Sequence, residues 1–244
     1  MPGYAVSPFD PFGRWPVPRR AATIGHVAST PMKHLLVLLW FIVAPAFAQD
    51  GAYAGRDDAL RAIDSTEPDR RVDAIRWLAS HGTPADAPAL QARLTDTSQE
   101  VREVAEAGMW ELWSHSGNAE IDALFARGVD EMQRRDLEAA IATFSTIIDR
   151  RPDFAEGWNK RATALFLAGE LRRSLADCNE VIKRNPAHFG ALAGFGQIYF
   201  QLEQYDLAIT FWQRALDVNP NMTGVETSIK ATKELIAEQR RRSA

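Results

Sequence analysis

The sequence predicts an all-α chain organised as a helical-repeat solenoid, and three observations carry that expectation. Prolines recur at Pro152, Pro186 and Pro220, a constant step of 34 residues. Small and large apolar residues between them keep the same step, which is the signature of stacked helical units. Nearer the start, Arg71-x-x-Ala74-x-x-x-Leu78 returns as Arg102-x-x-Ala105-x-x-x-Met109, an offset of 31. Composition agrees: 46% apolar and 25% charged over 244 residues suits a folded chain and argues against disorder, a collagen-like repeat or a multi-span membrane protein. One cysteine cannot form an internal disulfide, and five scattered histidines leave little for a zinc site.

Residues 1–31 hold six of the 13 prolines and no periodic apolar pattern, so they read as a disordered or spurious leader ahead of a start at Met32. Met32-Lys33-His34 opens onto the apolar run Leu35 to Ala44, which closes with Pro45-Ala46-Phe47-Ala48. A basic start, an apolar centre and a small-x-small end predict a secretory signal peptide over 32–48, cleaved after Ala48. The alternative is a membrane anchor, but Leu35 to Ala48 is 14 residues long, short of the ~20 that a spanning helix needs. Loss of residues 1–48 removes four basic residues and one acid and moves the formal charge from −4 to −7. The expected location is periplasmic or secreted, with membrane attachment only if the segment stays uncleaved. An acidic chain also lacks the basic footprint that nucleic-acid phosphates attract.

Residues 49–56 read as a linker, and 57–117 as a first helical segment. Leu90 and Leu94 give its middle helix an apolar side, and Thr97-Ser98-Gln99-Glu100 offers a capping box for the next. With its 31-residue repeat, the segment resembles a short HEAT-type array. It carries twelve acids against six bases between Asp57 and Gly117, so most of the acidity lies here. The break at Ser114 to Asn118 is too short for a flexible linker, which predicts a nearly continuous solenoid.

Residues 118–222 hold three units. Leu124, Trp158 and Leu192 form one column, Gly128, Ala162 and Gly196 a small one, and Ala140, Ser174 and Ala208 a second small one. Phe144, Cys178 and Trp212 follow, then Ile147, Val181 and Ala215, then the prolines. Small residues let two helices approach while large ones fill the space beside them, and proline ends each second helix. Trp158 is expected in the core, where truncation would cost about 3–5 kcal/mol. These columns, from Ile121 to Met222, resemble the tetratricopeptide repeat family, which implies a right-handed solenoid of helix-turn-helix units. Arg127 and Arg161 depart from that pattern where leucine is usual, and Glu131 departs where tyrosine is usual. Residues 223–244 read as a capping helix and tail, with Val225, Ile229, Thr232 and Ile236 on one face.

No nucleophile elbow, phosphate loop, zinc helix or paired-cysteine motif is present in the sequence. Gly190-Ala-Leu-Ala-Gly194-Phe-Gly196 lies within a helical pattern and reads as close helix packing, not as a dinucleotide loop. Cys178 reads as a core residue, and the Asn221-Met222-Thr223 sequon matters only in a glycosylating pathway. An enzyme is therefore not expected, and neither a cofactor, a metal nor a small-molecule substrate is implied. The family resemblance implies a concave groove lined by the first helix of each unit: Asp122, Phe125, Val129 and Met132; then Glu156, Asn159, Lys160, Thr163 and Phe166; then Ala193, Gln197 and Phe200. Phe125, Val129, Gly190 and Gly194 occupy most positions where some members clamp a carboxylate, so an apolar or amphipathic segment is the expected ligand. Phe125, Met132, Phe166 and Phe200 would anchor it, or else pack within their own units. The expected function is an exported, non-catalytic adaptor or scaffold binding a protein or peptide segment. The alternatives are a regulatory subunit of an envelope enzyme and a membrane-tethered scaffold.

Overall fold

A computed structural model describes residues 53–243; the expected leader, the signal segment and half of the linker lie outside them. Eleven α-helices are found among the described residues, and no strand. The first four, α1 (Arg56–Ala62), α2 (Pro68–His81), α3 (Ala87–Ala92) and α4 (Gln99–Ser114), form an N-terminal unit. Three helix pairs follow: α5 (Ala119–Gln133) with α6 (Leu137–Arg150), α7 (Ala155–Leu167) with α8 (Leu171–Arg184), and α9 (Phe189–Gln201) with α10 (Tyr205–Val218). The last helix, α11 (Thr223–Ser243), buries Val225, Ile229 and Thr232 and packs on Trp212 and Ala215, as its apolar face predicts.

The turn inside each pair is the same object three times. Arg135, Gly169 and Glu203, again 34 apart, adopt φ of 60°, 79° and 59°. The next amide in each case bonds back to a carbonyl five residues earlier: Asp136 to Glu131, Glu170 to Leu165 and Gln204 to Tyr199. This is a Schellman-type ending, which satisfies carbonyls that a helix end would leave bare. The left-handed conformation suits Gly169, whereas Arg135 and Glu203 adopt it against their Cβ.

The small and large columns face each other. A Cβ on Gly128 would lie 2.7 Å from Phe144 Cζ, and one on Gly196 would lie 2.3 Å from Trp212 Cδ1. Phe144, Ile147 and Val181 are fully buried, and burial of each such side chain contributes about 1.5–3 kcal/mol. The arginines that break the family pattern have acid partners. Arg127 Nε donates to Glu131, whose other oxygen accepts from Thr143, and Arg161 forks onto Asp177 at 2.7 and 2.8 Å. A paired ion in place of a leucine keeps the helices together because both partners are hydrogen-bonded.

Trp158 departs from expectation. It is half-buried, its Nε1 donates to Pro152 O at 3.0 Å, and the guanidinium groups of Arg161 and Arg184 lie 5.0 and 4.8 Å from its ring. Its column mates differ as well: Leu124 is half-buried and Leu192 fully buried.

The N-terminal unit has its own core of Ile75, Leu78, Leu90, Leu94, Met109 and Leu112, all fully buried. Its 31-residue repeat has a structural counterpart. Arg71 Nη1 donates to the carbonyls of Ser65 and Thr66, and Arg102 Nη1 donates to those of Asp96 and Thr97, the same positions one repeat later. The expected capping box at Ser98 is absent: its side chain makes no cap bond, and Asp96 Oδ1 accepts from the Ser98 amide instead.

The expectation of a nearly continuous solenoid fails. A continuing array would stack α4 chiefly on α5 and α6, but α4 turns back and packs against α7 and the start of α9. Arg102 Nε donates to Asn221 Oδ1 at 3.1 Å and Asn221 Nδ2 donates to Leu94 O at 2.8 Å, so the unit reaches the far end of the third pair. The turn between α4 and α5 allows this reversal. Gly117 sits at φ 73°, and Ser116 is pinned by Asp122, which accepts from both its amide and its hydroxyl.

Candidate functional site

The first helices α5, α7 and α9 present the face on which the groove was expected, and the structure divides the predicted residues into three groups. Phe125 and Met132 are interior, exposed by 8% and 2%, with the Phe125 ring 6.0 Å from Phe144 and 5.7 Å from Phe154. They fill the interior of the first unit. Ala193 is likewise fully buried, and its carbonyl accepts from Trp212 Nε1. Val129, Thr163, Phe166, Gln197 and Phe200 are half-buried; the Thr163 hydroxyl bonds back to Asn159 O, and Phe200 leans on Tyr205 and Trp212. Glu156, Asn159 and Lys160 form the third group, and they lie beneath α4.

This third group is a closed polar cluster. Glu156 Oε1 accepts from Asn159 Nδ2 at 2.9 Å and pairs with Lys160 Nζ at 3.3 Å. Its Oε2 lies 2.9 Å from His188 Nε2. His188 caps α9 through Nδ1, which accepts the Ala191 amide, so Nε2 carries the proton and donates to Glu156. Burial alone would raise the Glu156 pKa. The Lys160 charge and the bonds from His188 and Asn159 outweigh it and hold the carboxyl at about 2. Asn159 and Lys160 thus serve an internal carboxylate, which leaves them unsuited to clamping a carboxylate from a ligand.

Trp110 and Trp113 of α4 close over the cluster. Trp113 stacks on His188 with ring centroids 4.4 Å apart, and both indoles lie 5.1–5.2 Å from Phe189. Lys160 Nζ sits 5.6 Å from the centre of the Trp110 ring. Gly190 explains the approach: a Cβ there would lie 2.2 Å from Trp110 Cη2. The glycine-rich stretch therefore does mark close packing, and Gly190 does it for a helix of another unit. Trp110, Trp113, His188 and Asn221 were not among the expected site residues. A signal existed in Trp110, a large aromatic residue set off from the stripe Val101, Ala105, Met109 and Trp113.

Burial pushes the Cys178 thiol up to about 12, with the nearby Asp177 charge adding to it, so the thiol does not ionise near neutral pH. Among the described residues no group of three His, Cys, Asp or Glu side chains converges as a metal site, and no helix is long and apolar enough to cross a membrane. The Asn221 side-chain amide is engaged by Leu94 O and Asn219 Oδ1, which leaves the sequon closed in this fold.

Residues 125–188 and 194–222 match models of the tetratricopeptide repeat. The chain carries tetratricopeptide repeats. A curated TPR repeat-containing protein of Rhizobium etli is 32% identical over 128 residues, 52% of this chain and 63% of that protein. The small glutamine-rich tetratricopeptide repeat-containing protein 2 of Mycosarcoma maydis is 24% identical over 49% of this chain and 34% of its own length. The chain thus spans less than two thirds of either relative. Solved structures with a similar fold include the first TPR domain of Spaghetti (RPAP3) bound to an HSP90 peptide, at 20% identity and a TM-score of 0.47 over 48% of this chain and 93% of that one. The Sgt2 TPR domain from Aspergillus fumigatus gives 21% and 0.48 over 51% of this chain and 83% of its own. TPR proteins generally act in protein–protein interaction.

Proposed function

We propose that this chain is a non-catalytic adaptor, exported to the cell envelope, whose TPR units receive an apolar or amphipathic segment of a partner protein and help scaffold a larger complex. One observation carries the binding reading: the face of α7 and α9 already accommodates an amphipathic helix, α4, through ring contacts and a glycine gap. The half-buried strip of Thr163, Phe166, Gln197 and Phe200 on the same helices extends that face. Export rests on the pattern of residues 32–48, and the N-terminal unit reads as a HEAT-like pair through its repeated Arg71 and Arg102 bonding.

Photo-cross-linking side chains placed at Thr163 and Gln197 test the binding reading in envelope extracts. Partner peptides should cross-link there and be lost when Phe166→Glu is added. Cross-links that form only from Arg172, on α8, would overturn it. N-terminal sequencing of the mature protein tests export: a start at Gln49 supports it, and a retained Leu35 to Ala48 contradicts it.

A further inference from the structure

Docking of α4 is tight in shape but imperfect in polarity. The Trp110 indole Nε1 is buried and has no hydrogen-bond partner among the described residues, and the same holds for Asn219 Nδ2 beside the Arg102–Asn221 contact. An unpaired buried donor costs free energy that release to water recovers. The N-terminal unit keeps its own apolar core beneath the other face of α4, where Val101, Ala105, Met109 and Leu112 are fully buried. That cluster also takes in Trp113 of α4 and Phe189 of α9, so a swing away on the Gly117 turn leaves Val101, Ala105, Met109 and Leu112 covered and uncovers the two aromatic residues. What would be uncovered is a set of satisfied polar groups, Glu156, Asn159, Lys160 and His188, together with Phe189 and the bare backbone at Gly190.

We propose that α4 is a cis-acting ligand of the TPR face, so that a partner helix presenting two aromatic side chains three positions apart enters only by displacing Trp110 and Trp113. This rests on the binding reading above and adds regulation to it: the affinity of the face is set by competition within the chain. The exclusion follows from sterics, since Trp110 fills the space over Gly190 so closely that even a Cβ there would lie 2.2 Å from its ring.

The probe is a labelled synthetic peptide of residues 99–114, titrated into the full chain. Trp110→Ala with Trp113→Ala should empty the face and tighten peptide binding at least about tenfold over the unsubstituted chain, because buried tryptophans dominate such contacts. Adding Gly190→Leu should abolish that binding. Equal affinity in the emptied and unsubstituted chains would overturn the cis competition while leaving a binding face. No binding to an emptied chain of unchanged helix content would overturn both readings. If the double variant loses helix, Gly190→Leu alone serves, since it keeps both tryptophans in place on α4. It should raise the radius of gyration in solution scattering, and an unchanged value would overturn the proposal.

Discussion

Among the described residues, three glycines have a Cβ position closer than 3 Å to an aromatic ring, and they differ in origin. Gly128 meets Phe144 and Gly196 meets Trp212 within helix pairs, each 16 residues apart, whereas Gly190 meets Trp110 across 80 residues and between two units. The first two contacts belong to columns that recur every 34 positions, so the unit makes them wherever it is repeated. The third occurs once. Contacts inside the repeats specify the fold of each pair, and a single aperiodic contact sets where the N-terminal unit lies.

The largest expected effect is on the periodic side. Phe144→Ala should lower stability by about 3–5 kcal/mol in denaturant unfolding, since it leaves a cavity opposite Gly128. A loss below about 1 kcal/mol would mean that the small and large columns do not lock the pair.

The two arginines of the N-terminal repeat separate the contact types further. Arg71 Nη2 pairs with Asp96 at 2.7 Å, both side chains being nearly inaccessible, whereas the matching contact of Arg102 is to Asn221. Arg71→Ala leaves a buried carboxylate and should cost about 3–5 kcal/mol. Arg102→Ala leaves neutral groups and should cost about 1–3 kcal/mol, with Asn221→Ala nearly silent on top of it. Equal losses would show that the two repeats hold their loops alike regardless of acceptor.

Acid should weaken the face beneath α4. Glu156 has its folded pKa depressed to about 2 from an ordinary 4.5, so the stability it contributes is complete above the unfolded value and is lost as pH falls from about 4.5 to 2. The contribution is on the order of 3 kcal/mol at neutral pH. Asp86 and Asp96 are held low as well, against a burial that by itself raises them, by hydrogen bonds from Arg56 and Arg71 respectively. Glu131, Asp153 and Glu180 in the repeats are also held low by their hydrogen-bonded partners, so Glu156→Gln should flatten the melting-temperature profile between pH 4.5 and 2 in part and not wholly. A variant with the unsubstituted profile would contradict the charge assignment.

The smallest effect is at Trp158. With the ring half-buried between two guanidinium groups, Trp158→Ala should cost about 1 kcal/mol and not the 3–5 expected of a core position. A loss of 3 kcal/mol or more would restore it to the core.

The pattern of these residues explains what was legible in the sequence. Helix ends, pair order and the small–large columns follow from a 34-residue step, because every unit solves the same packing problem with the same positions. The departures at Glu131 and Arg161 could be seen but not resolved, since their partners Thr143 and Asp177 lie on the neighbouring helix, whereas Arg127 pairs with Glu131 one turn along its own helix. Burial at Phe125 and Met132 was hidden for a related reason: family position alone cannot distinguish a side chain facing a ligand from one filling its own unit. The reversal at Gly117 had no periodic trace at all. Gly190, Asn221, Trp110 and Trp113 acquire their roles only when α4 leaves the line of the array.

The central claim, that α4 lies on the face of α7 and α9, is tested most directly by solution NMR on the full chain. The account predicts a nuclear Overhauser contact between the Trp110 indole ring and the Gly190 α-protons, with those protons shifted by the ring current. A fully helical chain whose Gly190 resonances lie at ordinary positions, with no contact to Trp110, would contradict it.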